Sequence, residues 1–406
     1  MEFNKEILPL NTAELHAQLK QSLQQILRFW QTQMPDNVHG GYIGTMRPNG
    51  QKVLDAPKGA VLNARIVWTF STAALQLKDE SLRESAERAY GYFSKHFFDP
   101  EFGGIYWSVD FMGIPLETKK QVYAQGFAIY ALAAYYQLTG NEKALEQAIE
   151  LFHLLEKHSY DPVYGGYFEA FTRQWDTIED LRLSDKDANE KKTMNTHLHV
   201  LEGYTLLYKV YSDAELRRKI VGLLDIFKEI IIDKNSATQG LFFDEKWVRK
   251  DTLISFGHDI EASWLLQEAA EVLGDDDWIT YTKALSVKIA YASLKGIDSD
   301  GGMWHEYDVA NHHLVKEKHW WPQAEAMVGY YNAWQNSGNP VFLEQVFNSW
   351  NFIHQYLIDT KHGEWIWGIY EDYSAMLNED LAGFWKCPYH NGRACMELLH
   401  RLELGA

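Results

Sequence analysis

The chain has 406 residues, 46% hydrophobic, 23% charged and 14% aromatic, with a formal net charge of −18. That charge repels phosphate backbones and anionic membrane surfaces, the Lys and Arg residues are scattered, and no apolar run is long enough to span a bilayer, so neither nucleic acid nor a membrane is an expected partner. The opening MEFNKEILPLNTAEL has no secretory pattern, and two cysteines, Cys387 and Cys395, cannot make a disulfide framework, so a cytoplasmic setting with free core thiols is expected.

In chain order, residues 13–31 place Leu15, Leu19, Leu23, Ile26 and Leu27 at spacings of three and four among charges, which predicts an amphipathic helix. HGGYIG follows at Gly40-Gly41, where paired glycines permit a tight turn into a short strand. NARIVWTFSTAALQL comes next, apolar around more of its circumference, as a buried helix needs to be. The same three-part order then recurs. Amphipathic helices are predicted at 81–96, 143–158, 213–232, 278–294 and 342–357. Each precedes a glycine element, at Gly103-Gly104, Gly165-Gly166, a degenerate Gly240, Gly301-Gly302 and a degenerate Gly363. The apolar helices after them are YAQGFAIYALAAYYQL, NTHLHVLEGYTLLYKVY, GHDIEASWLLQEAAEVL, WWPQAEAMVGYYNAW and YHNGRACMELLHRL. The first glycines stand 63, 62, 75, 61 and 62 residues apart, which is a sixfold repeat.

Six outer and six inner helices bury every inner face by closing into a ring, so the predicted class is all-α, an (α/α)6 barrel with short β-hairpins at the loops. An open solenoid is the alternative, but it would carry polar caps. No linker is evident, so one catalytic domain, 1–406, is expected.

The starts of the inner helices carry polar groups that a plain core does not need: Asn63 and Arg65; Tyr123 and Gln125; Asn195, His197 and His199; His258 and Glu261; Trp320, Trp321, Gln323 and Glu325; Tyr389, His390, Asn391 and Arg393. In a closed ring the six N-termini share one mouth, so these residues are expected to line a single pocket. His258 and Glu261 are three apart on one helix face, where the carboxylate would orient the imidazole; His197 and His199 are two apart, so only one of them is expected to face the pocket.

Three chemistries compete for such a pocket. A metal on His199, His258 and His390 lacks any closely spaced ligand pair. Glycoside hydrolysis would use a carboxylate pair from Glu261, Glu325 and Asp259, but has no need of two histidines. Proton transfer suits imidazoles best: two on opposite faces of one carbon would invert it, and Arg65 would stabilise the oxyanion. The 15 Trp suit stacking on the apolar faces of sugar rings, although any one Trp is as readily core.

The segments KGAVLNAR, KKTMNTHLHVLEGY, FGHDIEASWLL, HWWPQAEAMVGYYN and GFWKCPYHNGR resemble those of the cellobiose 2-epimerases, within the N-acylglucosamine 2-epimerase superfamily, over essentially the whole chain. The resemblance implies C2 epimerisation of the reducing-end sugar of a β-1,4-linked disaccharide, by ring opening and a cis-enediolate. By motif match, it makes His390 and His258 the acid/base pair, with Glu261 supporting His258. Arg65 and His199 would hold the O1 and O2 region, and Asn195 and Tyr123 would bind hydroxyls. Trp320, Trp321 and Trp385 would stack on the sugars, with Glu325 nearby. Neither metal nor nucleotide cofactor is implied. Free mannose epimerisation and aldose–ketose isomerisation are the neighbouring alternatives. The insertion at 172–192 is read as a lid or substrate-side wall, and a monomer is expected.

Overall fold

An asparagine or aspartate opens every outer helix. In the computed structural model, which describes residues 11–404, these are α1 (Thr12–Thr32), α3 (Glu80–His96), α5 (Glu142–His158), α7 (Ala214–Ile226), α9 (Asp276–Ser293) and α11 (Pro340–Tyr356). Asn11, Asp79, Asn141, Asp213, Asp275 and Asn339 accept hydrogen bonds from first-turn backbone N–H groups, each worth about 1 kcal/mol over alanine. Each outer helix buries one stripe, as in Leu15, Leu19, Leu23, Ile26 and Leu27 of α1.

The inner helices are α2 (Ala60–Leu77), α4 (Val122–Thr139), α6 (Met194–Val210), α8 (Phe256–Leu273), α10 (Trp320–Ser337) and α12 (His390–Leu404). They are buried over most of their circumference, and each lies against the next until α12 returns to α2 and closes the ring. Every other outer helix packs on the inner helix before it, while α1 packs on α12. Close contact between α4 and α6 depends on two glycines: a Cβ on Gly203 would stand 2.5 Å from the carbonyl oxygen of Gly126.

Neighbouring repeats are joined by short antiparallel strands. Lys58–Gly59 pairs with Ser108–Val109, Lys120–Gln121 with Ala170–Phe171, Lys192–Thr193 with Phe242–Phe243, Leu253–Ser255 with Glu306–Asp308, and Lys318–His319 with Gly368–Ile369. A Met46–Ala382 bridge completes the circle. These strands also cap the inner helices, because the first N–H of α2, α4, α6 and α10 donates to a carbonyl of the next hairpin (Trp107, Glu169, Leu241 and Trp367).

In five of the six repeats a buried lysine binds an acidic partner: Lys58–Asp36 at 2.8 Å, Lys120–Asp99 at 3.0 Å, Lys192–Asp161 at 2.7 Å, Lys318–Asp298 at 2.7 Å and Lys386–Glu364 at 3.1 Å. The fourth repeat has Ile254 in the lysine's place. That repeat also corrects the glycine reading. The left-handed turn position held by Gly40, Gly103, Gly165, Gly301 and Gly363 is held there by Ala237, at φ 57°, and Gly240 lies three residues beyond it. An alanine Cβ is the smallest that tolerates this conformation, which hid the position from a search for glycine.

Candidate active site

The polar residues at the inner-helix starts fall into two rows, counted from the lysine position. Five residues on lie Asn63, Gln125, His197, Asp259, Gln323 and Asn391, most of which grip the adjoining hairpin. Gln125 bonds both N and O of Ile105, Gln323 does the same with Met303, His197 Nε2 accepts from Tyr167 N at 2.8 Å, and Asp259 Oδ1 accepts from Gln239 N at 2.9 Å. Two residues further on lie Arg65, Phe127, His199, Glu261, Glu325 and Arg393, which meet one another across the ring. The single pocket expected of all these groups is therefore built from the second row and its neighbours, and of the two nearby histidines it is His199 that faces inward.

His390, at the start of α12, bonds through Nδ1 to Glu325 Oε1 at 2.7 Å, with Glu261 Oε1 at 4.0 Å. His258 bonds through Nδ1 to Ser255 Oγ at 2.8 Å. Among the described residues neither Nε2 has a hydrogen-bond partner. The Trp321 ring contacts both imidazoles, at 4.6 Å from His258 and 5.8 Å from His390, so the two histidines flank one indole. Trp320 lies behind His390 at 6.4 Å with its Nε1 unpartnered.

A second group adjoins this pair. An Arg65 amino group donates to Tyr123 Oη at 2.9 Å, and its guanidinium lies over the rings of Phe127 and Tyr389 at 4.2 and 4.5 Å. The Tyr123 ring meets His199 at 5.1 Å and Trp385 at 6.1 Å. His199 Nδ1 bonds Glu202 Oε2 at 2.8 Å. Asn195, one turn before His199, has an unpartnered Oδ1, and Arg65 has an unpartnered Nε. These two unpartnered polar atoms lie beside the histidines at the centre, where a ligand's hydroxyls would satisfy them.

Glu261 does not orient His258 as the spacing suggested. It bonds Arg393 at 2.5 Å instead, because the second row aims it across the ring rather than along its own helix. Burial pushes Glu261 up to about 8, helped by the negative charge of neighbouring Glu325, which burial also raises. Glu202 goes the other way, to about 2, since Arg393 and His199 outweigh the burial that would raise it. Burial holds His258 down to about 3 and His390 well below the ordinary imidazole value, so both rings are neutral at neutral pH.

Among the described residues, Glu261, Glu325 and His390 form the cluster whose ligand atoms lie within 4.8 Å of one another, and the three histidines form none. The guanidinium of Arg393 already bonds the carboxylate oxygens of that cluster, at 2.5 and 2.7 Å, so the position a cation would take is filled.

The chain matches the family model of N-acylglucosamine 2-epimerase (GlcNAc 2-epimerase) over residues 41–394. It belongs to the N-acylglucosamine 2-epimerase family. The cellobiose 2-epimerase of Bacteroides fragilis is 49% identical over 386 residues, covering 94% of this chain and 98% of that protein. The solved cellobiose 2-epimerase of Bacillus thermoamylovorans B4167 superposes with a TM-score of 0.91 at 38% identity, covering 96% of this chain and 100% of that one. A solved D-mannose isomerase, at 18% identity, a TM-score of 0.82 and 98% and 100% coverage, shares the fold. The barrel is thus shown by its relatives as well as by its own helices.

In this member of the N-acylglucosamine 2-epimerase family, the centre also holds Arg393 and Tyr389, which the sequence places in the pocket without assigning them a role, and Glu202, which it does not single out. Arg393 and Tyr389 were visible among the helix-start polar groups, and Glu202 follows His199 by three residues on one face, the spacing that marks a partner. The 172–192 segment has no helix or strand before Lys192, where a strand begins, and is tied down by Arg173 on Asp99 at 2.8 Å and by Gln121 on the carbonyls of Leu181 and Arg182. Its far end reaches the fifth hairpin, where Lys186 opposes protonation of His305 and Asp187 helps burial raise Glu306 to about 7. Among the described residues no helix is long and apolar enough to cross a membrane.

Proposed function

We propose that the protein is a cellobiose 2-epimerase, interconverting the C2 epimers at the reducing end of β-1,4-linked disaccharides (cellobiose with glucosyl-mannose, lactose with epilactose, and likewise mannobiose) in a cofactor-independent, cytoplasmic and monomeric form that acts as one catalytic domain. The observation that carries this reading is the pair of neutral imidazoles, His258 and His390, flanking Trp321 with both Nε2 atoms free.

In the opened sugar, C2–H is acidified by the C1 carbonyl. His390 donates Nδ1–H to Glu325, which leaves a lone pair on Nε2 that removes the C2 proton, while the C2–H electron pair forms the C1=C2 double bond and the carbonyl π pair moves to the C1 oxygen, giving an enediolate. Arg65 and His199 hold the O1 and O2 side, where the guanidinium offsets the oxyanion's charge. That negative charge raises the proton affinity of His258, which is not fully buried; it takes up a proton from solvent and delivers it to the opposite face of C2, and His390 then releases its proton to solvent. The reverse reaction exchanges the two roles. Asn195 and Tyr123 bind hydroxyls, Trp321 and Trp385 present ring faces to the sugars, and Trp320, expected to stack as well, backs His390 instead. The tied-down 172–192 segment forms a wall on the side of the second sugar.

Proton NMR of cellobiose with the protein in D2O tests this. Deuterium should enter at C2 of the reducing residue as a C2-epimeric disaccharide accumulates with its linkage intact. Released glucose would indicate a hydrolase, deuterium at C1 with a ketose product would indicate an isomerase, and preference for free mannose in a parallel sample would indicate a monosaccharide 2-epimerase.

A further inference from the structure

Four of the six inner helices meet at one side chain. Arg393, 1% exposed on α12, bonds Glu202 of α6, Glu261 of α8 at 2.5 Å, Glu325 of α10 at 2.7 Å, and Tyr389, the residue just before α12. Its guanidinium is sandwiched between the rings of Tyr389 and Trp264, at 4.2 and 4.8 Å. Two of those carboxylates are also the partners of histidines: Glu325 of His390, and Glu202 of His199.

We infer that Arg393 is a positioning residue for the epimerisation: it gathers three buried carboxylates around one charge, and through Glu325 and Glu202 it fixes the tautomer and basicity of His390 and His199. The inference rests on the proposed epimerase reading. Burial raises Glu261 and Glu325, and Glu325 raises Glu261 further, while Arg393 opposes both shifts, so their protonation depends on the charges around them. From α2 that surrounding includes Arg65, and from α4 Tyr123 and Tyr130. α8 contributes His258 beside Glu261, and the remaining groups are the histidines already named.

The sign of each perturbation follows from charge. Removing the guanidinium raises every carboxylate and imidazole pKa in the cluster, so His390 loses its anionic partner and its lone pair at higher pH. Removing one carboxylate charge does the opposite.

The test compares Arg393→Met, Arg393→Lys and Glu202→Gln with wild type across pH. Arg393→Met should lower kcat on cellobiose by about 100-fold with KM changed less than about threefold, the range a misplaced acid/base group commands. Its acid limb should move to higher pH, that of Glu202→Gln to lower pH, and Arg393→Lys should restore the limb and part of kcat. Should Arg393→Met fail to fold, the Lys and Gln variants still separate: an unmoved limb for Lys and a lowered one for Gln, and an unmoved limb for Gln would overturn the inference. Lost activity with no limb movement, or movement of the Met and Gln variants in the same direction, would overturn the inference and leave Arg393 a structural residue. If wild type does not epimerise cellobiose, the functional reading fails separately. Arg393 is then judged by histidine 15N resonances, where Arg393→Met must raise and Glu202→Gln lower the pH at which the His390 and His199 rings respond; no change overturns it.

Discussion

Two rows of side chains, two residues apart on the same six helices, have diverged to different degrees. The hairpin row, from Asn63 through Asn391, changes residue type but in four of its six members, Gln125, His197, Asp259 and Gln323, keeps one task, satisfying backbone groups of the adjoining turn. The inward row, from Arg65 through Arg393, holds two arginines, two glutamates, a histidine and a phenylalanine, and no two neighbouring repeats share a role there except Glu261 and Glu325. A repeat protein can vary its axis freely because a separate row, facing away, keeps each unit in register. Chemistry and architecture occupy different registers of one helix turn.

Substitutions that cross this division should separate activity from stability. The largest effect is expected at the pocket: His390→Phe or His258→Phe should lower kcat by about 10³-fold or more, as loss of a positioned acid/base group does, with thermal denaturation nearly unchanged. On the hairpin side the reverse is expected. Lys192→Met leaves Asp161 charged and unpaired where the lysine is 0% exposed, and should cost about 3 kcal/mol in denaturant unfolding while the folded fraction keeps its KM. The adjacent histidines make the sharpest pair. His199→Gln should lose roughly 100-fold in kcat, whereas His197→Gln installs the side chain that repeats two and five already use and should stay within about 1 kcal/mol and twofold of wild type; equal loss at both positions would erase the distinction between rows. The smallest effect belongs to Ala237→Gly, which relieves a left-handed alanine and should stabilise by about 1 kcal/mol in the same unfolding assay.

The histidines also set a pH signature. His258, held at about 3 when folded, titrates near 6.5 once unfolded, so the unfolded chain binds the additional proton below that value. Stability should therefore fall as pH drops from about 6.5 towards 3, while kcat persists below the ordinary imidazole value because the folded rings stay neutral. Parallel melting and rate profiles would show the two limbs apart.

Periodicity exposed the architecture because apolar spacing is set by burial, and burial alternates between one-sided outer and all-round inner helices. It located the site for the same reason: polar residues at the start of a buried helix stand out. What it left open is angular. The hairpin-row and inward-row residues differ by two positions, or about 200° around a helix, and until the helix start is fixed either row may be assigned to the pocket. That is why His197 and Gln125 looked equivalent to His199 and Glu261, and why Glu261 was matched to His258 along its own helix when its partner, Arg393, comes from 132 residues away. Arg393 gives little signal by itself, since a lone arginine in a helix is ordinary until three glutamates are seen around it. Ala237 was missed because turn geometry was sought through glycine.

The Met46–Ala382 bridge and the packing of α1 on α12 turn six linked units into a hoop. A linear array can peel from either end, one unit at a time. A hoop offers no such end: opening it anywhere strips two inner faces at once and lets water into the centre that holds the charges. The barrel should accordingly melt in one sharp transition, with the catalytic centre and the rim lost together.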